Sequence, residues 1–188
     1  MPNQFYSPNS KISGGAAFFS FNSKEGCVYI KLLKQIANNP SHKGNFDGAN
    51  PVNIKLSQDE AADIIRAVRT NGESKFFHKF DTSTTSGSFK YYTIPAKDTF
   101  PTKSGFGLSV KKSQDGKEIE IKCGFSLGSA ERLSLWLNNA LTHCFDAEYS
   151  QDLKDAKEYQ DKKKKTEAAP IKPESNSDVA PSTDEVEF

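Results

Sequence analysis

The chain has 188 residues, of which 35% are hydrophobic, 26% charged and 11% aromatic, and its formal net charge is +1. That length suits one domain with an appendage, and the low mean hydropathy of -0.66 leaves material for one core only. No run of about 18 apolar residues exists to cross a membrane as a helix, and the N-terminal Met1-Pro2-Asn3-Gln4-Phe5-Tyr6-Ser7-Pro8 lacks the basic start and apolar run of a secretory signal.

The charge is unevenly placed. Residues 1–165 carry 24 Lys and Arg against 18 Asp and Glu, whereas residues 166–188 carry one Lys against six acids. A basic body with an acidic tail raises nucleic-acid binding as a hypothesis. The three cysteines, Cys27, Cys123 and Cys144, are odd in number, lack pairwise spacing and fall on apolar-patterned segments. Buried thiols in a reducing cytoplasm are expected, of a bacterial or archaeal cell or a virus that infects one, rather than a disulfide scaffold or a zinc site.

Along the chain, residues 1–15 are rich in Asn, Ser, Pro and Gly and read as a flexible N-terminal arm. The folded domain is expected over 16–145. Strands are predicted at 16–22 and 26–37 around a Ser23-Lys24-Glu25 turn. In the second of these, Val28, Ile30, Leu32 and Ile36 share one face, and Tyr29, Lys31, Leu33 and Gln35 the other. A third strand carries Val52, Ile54 and Leu56. Ser57 with Glu60 three residues later forms a capping box, Ala61, Ile64, Ile65 and Val68 make a helical stripe, and Asn71-Gly72 supplies the stop.

The pattern then repeats. Strands are predicted at 75–81, 88–94, 105–112 and 117–127, with Asp115-Gly116 as a hairpin turn between the last two. A second helix from about Ser129 buries Leu133, Trp136, Leu137, Ala140, Leu141 and Cys144. Residues 146–165 are a charged helical extension ending in four lysines. From 166 to 188, Pro170, Pro173 and Pro181 stand among Ser, Asp and Glu, the composition of a disordered acidic tail. The fold class expected is therefore α+β, with antiparallel sheets packed on helices in two strand-run-then-helix halves.

This plan, with extended hairpins rich in Lys and aromatics, resembles the whirly family and its relative positive cofactor four, over roughly residues 16–145. Both are single-stranded DNA binders, so the resemblance implies a sheet that holds unpaired strands. The tail ending in Glu185-Val186-Glu187-Phe188 is similar to the C-terminal tips of bacterial and phage single-strand-binding proteins. In those, acids followed by Phe recruit replication, recombination and repair proteins. That likeness points to Asp184, Glu185, Glu187 and Phe188 as partner-binding residues. A bland solubilising tail is the alternative.

Holding a single strand needs cations along the phosphates and flat faces for exposed bases. The strands interleave the two at a spacing of two residues. Tyr29 shares a face with Lys31, Phe77 with Lys79, and Lys90 with Tyr92; Lys111 and Lys122 lie on the polar faces of their strands. These eight residues are the candidate nucleic-acid contacts, and Tyr29 and Tyr92 lead as stacking platforms. Each aromatic has a competing reading as core, since strands packed on helices bury many rings. Phe76 and Phe80 lie on the face opposite Phe77, so one face should meet the core and the other a ligand or a second subunit. Trp136 reads as a core or subunit-interface anchor. His42, His78 and His143 are scattered and carry no assigned chemistry. Lys162 to Lys165 could grip nucleic acid or form a solvated helix end.

No phosphate loop, nucleophile elbow, HExxH or CxxC occurs, so no enzyme activity, metal or cofactor is expected. Gly105-Phe106-Gly107 is too short for a nucleotide fingerprint and reads as a strand bend. Three functions remain. One is a sequence-tolerant single-stranded DNA-binding protein, oligomeric and not membrane-bound. The others are a transcription regulator or RNA-binding module on the same sheet, and a viral structural or assembly protein.

Overall fold

The computed structural model describes residues 3–37, 45–96 and 101–167. By internal contacts the chain divides into two compact units, Met1–Ser150 and Gln151–Phe188.

The first unit holds two antiparallel sheets. Sheet 1 comprises β1 (Asn3–Ser7), β2 (Gly15–Asn22), β3 (Cys27–Ala37), β4 (Asn45–Phe46) and β5 (Val52–Leu56). β1, β2 and β3 lie side by side, and β3 also pairs with both β4 and β5. Helix α1 (Gln58–Thr70) follows, then sheet 2 in the order β6 (Glu73–Phe80), β7 (Ser83–Ile94), β8 (Lys103–Gln114) and β9 (Lys117–Ser126). Helix α2 begins at Leu127 and runs to Glu167. Two strand-run-then-helix halves are thus present.

Helix α1 starts where the capping box requires. The Ser57 hydroxyl accepts from the Glu60 amide, and the Glu60 carboxylate accepts from the Ser57 amide. It ends at Asn71, which takes the left-handed conformation with φ of 50° that asparagine tolerates better than most residues. Its buried side chains Ile64, Ile65 and Val68 meet one core shared with both sheets and the first part of α2. Phe19, Ile30, Leu32 and Ile54 come from sheet 1, and Phe89, Phe106, Leu108 and Ile121 from sheet 2, all essentially inaccessible. Full burial of one such side chain contributes about 1.5–3 kcal/mol. Phe89 and Phe106 stack with ring centroids 5.1 Å apart.

Three expectations need correction. Residues 3–7, read as part of a flexible arm, form β1, paired with β2 from Asn3↔Phe19 to Ser7↔Gly15. Phe5 is the anchor, buried against Phe19 and Phe125 and capped by the Arg132 guanidinium 4.8 Å above its ring. The loop behind β1 is also tied. The buried Gln35 accepts from the amides of Asn9 and Gly14 and donates to the Asn9 carbonyl. This explains the second correction, because Gln35 is buried and Ile36 exposed, the reverse of strict alternation. The register between β3 and β4 also shifts between Gln35 and Ala37, an irregularity adjoining the reversal. Third, Phe80 is 75% exposed although Phe76 on the same face is core, because the β6–β7 hairpin outruns the packed layer.

In the second unit, 151–167 is helical and every side chain described there, 151 to 164, is exposed. Lys162, Lys163 and Lys164 belong to that solvated run. The acidic residues Asp184, Glu185 and Glu187, with Phe188, lie outside the described residues.

Candidate nucleic-acid interface

Sheet 2 turns one face to the core and the other to solvent. Pairing fixes which side chains share the outer face. Glu73, Lys90, Gly107 and Gly124 form one row across the four strands, and Lys75, Ser88, Ser109 and Lys122 the next. Phe77, Ser86, Lys111 and Glu120 follow, then Lys79, Thr84, Ser113 and Glu118. Tyr92 lies on the same face, one row beyond Lys90, beside Gly105 and Ser126. Six of the eight predicted contacts, Phe77, Lys79, Lys90, Tyr92, Lys111 and Lys122, therefore share one surface. From the Tyr92 row to the Phe77 row is six residues along β7, about 20 Å at the rise of an antiparallel strand.

Tyr29 and Lys31 are not among them. Both sit on the outer face of sheet 1, in β3. The Tyr29 hydroxyl donates to Glu25 at 2.6 Å, and the Lys55 ammonium pairs with the same carboxylate at 3.1 Å. The Tyr29 hydroxyl and the Lys55 ammonium together hold the Glu25 carboxyl below the usual range, and the Glu25 carboxylate pushes the Tyr29 phenol up. Tyr29 is thus half-buried and tethered, less open than the spacing predicts.

On the sheet 2 face six lysines, Lys75, Lys79, Lys90, Lys103, Lys111 and Lys122, oppose three glutamates. Three of the lysines lean on those acids: Lys75 on Glu73 at 3.5 Å, Lys111 on Glu118 at 3.3 Å and Lys122 on Glu120 at 3.2 Å. The Lys122 ammonium is the main reason the Glu120 carboxyl lies below its ordinary range. Lys79, Lys90 and Lys103 have no ion-pair partner among the described residues. Lys75 and Lys103 escaped the sequence reading, although Lys75, two residues from Phe77, carries the same signal; Lys103 has no ring at that spacing and is placed by its pairing with Ile94.

The rings are displayed in two ways. Phe77 is 65% exposed, while its neighbour Phe76 is inserted into the core over Gly87. Tyr92 instead lies on the sheet. Cβ atoms placed on Gly105, Gly107 and Gly124 would come within 3.1, 3.9 and 3.9 Å of its ring or hydroxyl. Gly105 therefore leaves room for the Tyr92 hydroxyl, and Gly107 and Gly124 lie at contact distance beside it. Beside Tyr92 a groove of about 420 Å³ is walled by Lys90, Ser88, Ser109 and Lys122 and by Asn9 and Ser13 of the β1–β2 loop. Its lining joins two lysines and several hydroxyls to a mostly apolar floor that includes Tyr91 and Tyr92. No group of His, Cys, Asp or Glu among the described residues could hold a metal ion. Trp136 is half-buried and packed against the core.

No family model matches the sequence, nor does any curated protein sequence. Solved structures do. WHY1 from Arabidopsis thaliana superposes with a TM-score of 0.58 at 13% identity, covering 83% of this chain and 92% of that one. The fold is that of the whirly proteins. The plant transcriptional regulator PBF-2 gives 0.58 at 14% identity, covering 81% of this chain and 86% of its own. MRP1/MRP2 of Trypanosoma bruciei gives 0.51 at 17% identity, covering 74% and 83%. At these identities the likeness concerns the whirly fold, and the side chains on the sheet carry the rest.

Proposed function

We propose that this whirly-fold protein binds single-stranded DNA with little dependence on sequence, on the outer face of sheet 2. The observation that carries the reading is the gathering of Phe77, Tyr92 and six lysines on one exposed face. Lysines contact phosphates without reading bases, and a ring accepts any base on its face, so neither group demands a sequence. Paired bases offer no free face, so a duplex is the poorer ligand.

The acidic segment containing Asp184, Glu185, Glu187 and Phe188 fits recruitment of replication, recombination or repair proteins through a basic, apolar pocket. Self-association is part of the same reading. Leu135, Phe145 and Tyr149 are 65%, 55% and 66% exposed within one arc of α2.

Titration of fluorescent oligo-dT, a mixed-sequence strand and a duplex across a salt series tests the proposal. Tight, salt-sensitive binding of both single strands and weak binding of the duplex is expected. Equal affinity for duplex and single strand would overturn it. The transcriptional regulator among the structural neighbours supplies the second reading, which a strong preference between the two single strands would favour.

A further inference from the structure

Sheet 1 has an outer face of its own, and its composition is unusual. Row by row its side chains are Tyr6 and Leu33 over a buried Ala16, then Gln4, Phe18, Lys31 and Asn53, then Ser20, Tyr29 and Lys55. Tyr6 is 53% exposed, with its ring 5.6 Å from that of Phe18 and 5.8 Å from that of Phe46 in β4. Lys31 is exposed beside Phe18 and has no ion-pair partner among the described residues. No carboxylate lies in these three rows; Glu25, in the hairpin turn beside them, is already engaged by Tyr29 and Lys55, and Asp47, next to Phe46, is engaged by its own turn. An aromatic cluster of this kind needs a partner. A second copy of the same face is a poor one, because it would bring another unpaired Lys31 and no carboxylate in these rows to neutralise either. A polyanion with flat apolar rings satisfies both components.

We infer that the outer face of sheet 1, centred on Tyr6, Phe18 and Lys31, is a second contact surface for single-stranded nucleic acid, engaged by strands long enough to continue beyond the sheet 2 face. This rests on the proposed binding at sheet 2 and extends it: the two sheets turn their apolar faces to a common core, so one chain displays two separate binding faces. Affinity then rises with strand length, because the second contact is made at the high effective concentration that the first creates.

The test uses the full chain with labelled oligo-dT of about 8 and about 24 nucleotides. Two substitutions on exposed positions probe the face: Tyr6→Ala, which removes the open ring, and Asn53→Glu, which sets a carboxylate beside Lys31. The inference expects the long strand to bind either variant at least about fivefold more weakly, with the short strand unchanged. Phe77→Ala and Lys90→Ala should weaken both strands. If Tyr6→Ala and Asn53→Glu leave both lengths unchanged, or weaken both equally, the second surface is refuted while the sheet 2 reading stands on its own variants. If Phe77→Ala and Lys90→Ala have no effect on either length, the sheet 2 reading itself fails. A change in the solution mass of Tyr6→Ala without a change in binding would assign the face to a second copy and overturn the inference.

Discussion

Replacing Lys79 and Lys90 together by alanine removes two cations that no carboxylate on the sheet neutralises. Each phosphate neutralised on a single strand contributes about -0.7 to the slope of log K against log salt. If only Lys79, Lys90 and Lys103 engage phosphates, the wild-type slope is about -2; if all six lysines do, it is about -4. The double variant should lower the slope magnitude by about 1.4. At about 0.1 M salt, one decade below 1 M, each lysine then accounts for about a fivefold change in affinity, and the pair for about 25-fold. Both side chains are exposed on a solvated face, so unfolding transitions should not move. Fluorescence anisotropy of labelled oligo-dT from about 0.05 to about 0.5 M salt measures the slope directly. Loss of affinity with an unchanged slope would refute the reasoning, because the lysines would then not be displacing counterions. Glu120→Gln provides the opposite sign: freeing Lys122 from its 3.2 Å partner should tighten binding.

Gly87→Val should destabilise the fold by about 1–3 kcal/mol, read as a lower midpoint in urea, because a Cβ at Gly87 would stand 2.1 Å from the Phe76 ring. Ser57→Ala removes one half of the capping box and should cost about 1 kcal/mol in the same assay without altering DNA affinity. Burial pushes the Cys123 thiol up to about 12, so it should resist alkylation at about pH 8 in the native protein and react once urea unfolds the chain. The linked effect on stability has a definite sign. The unfolded thiol ionises from about pH 8.5 while the folded one stays protonated towards 12, so this group makes stability fall as pH rises between those values. Rapid labelling of Cys123 in the native state would contradict its place behind Phe5.

Strand existence and side-chain parity were legible because alternation and turn chemistry agree. Asp115 and Gly116 both adopt positive φ, as their hairpin requires, and parity alone put Lys90 with Tyr92 and Phe77 with Lys79 on common faces. Parity could not say which strands share a sheet. Tyr29 and Lys31 carry the same local pattern as Phe77 and Lys79, yet β3 pairs with β2, β4 and β5 rather than with the second run, and that pairing is a long-range choice. β1 escaped notice because one buried ring, Phe5, fixes it among Asn, Gln, Ser and Pro residues that favour loops. The inversion at Gln35 and Ile36 depends on the loop that Gln35 binds, a partner more than 20 residues away. The glycines beneath Tyr92 look like strand breakers in one dimension, and their purpose is apparent only where three strands meet.

That bare backbone patch has a consequence for how the surface can change. A phenol resting on peptide planes can give way to another flat ring with little rearrangement, so Phe or Trp at position 92 should be accommodated. A side chain at 105 would press on the Tyr92 hydroxyl and on the Phe125 carbonyl, whereas a Cβ at 107 or 124 would only reach contact distance of the ring or its hydroxyl. Positions 92 and 105, on neighbouring strands, are therefore coupled, and a substitution at 105 must arrive in step with one at 92.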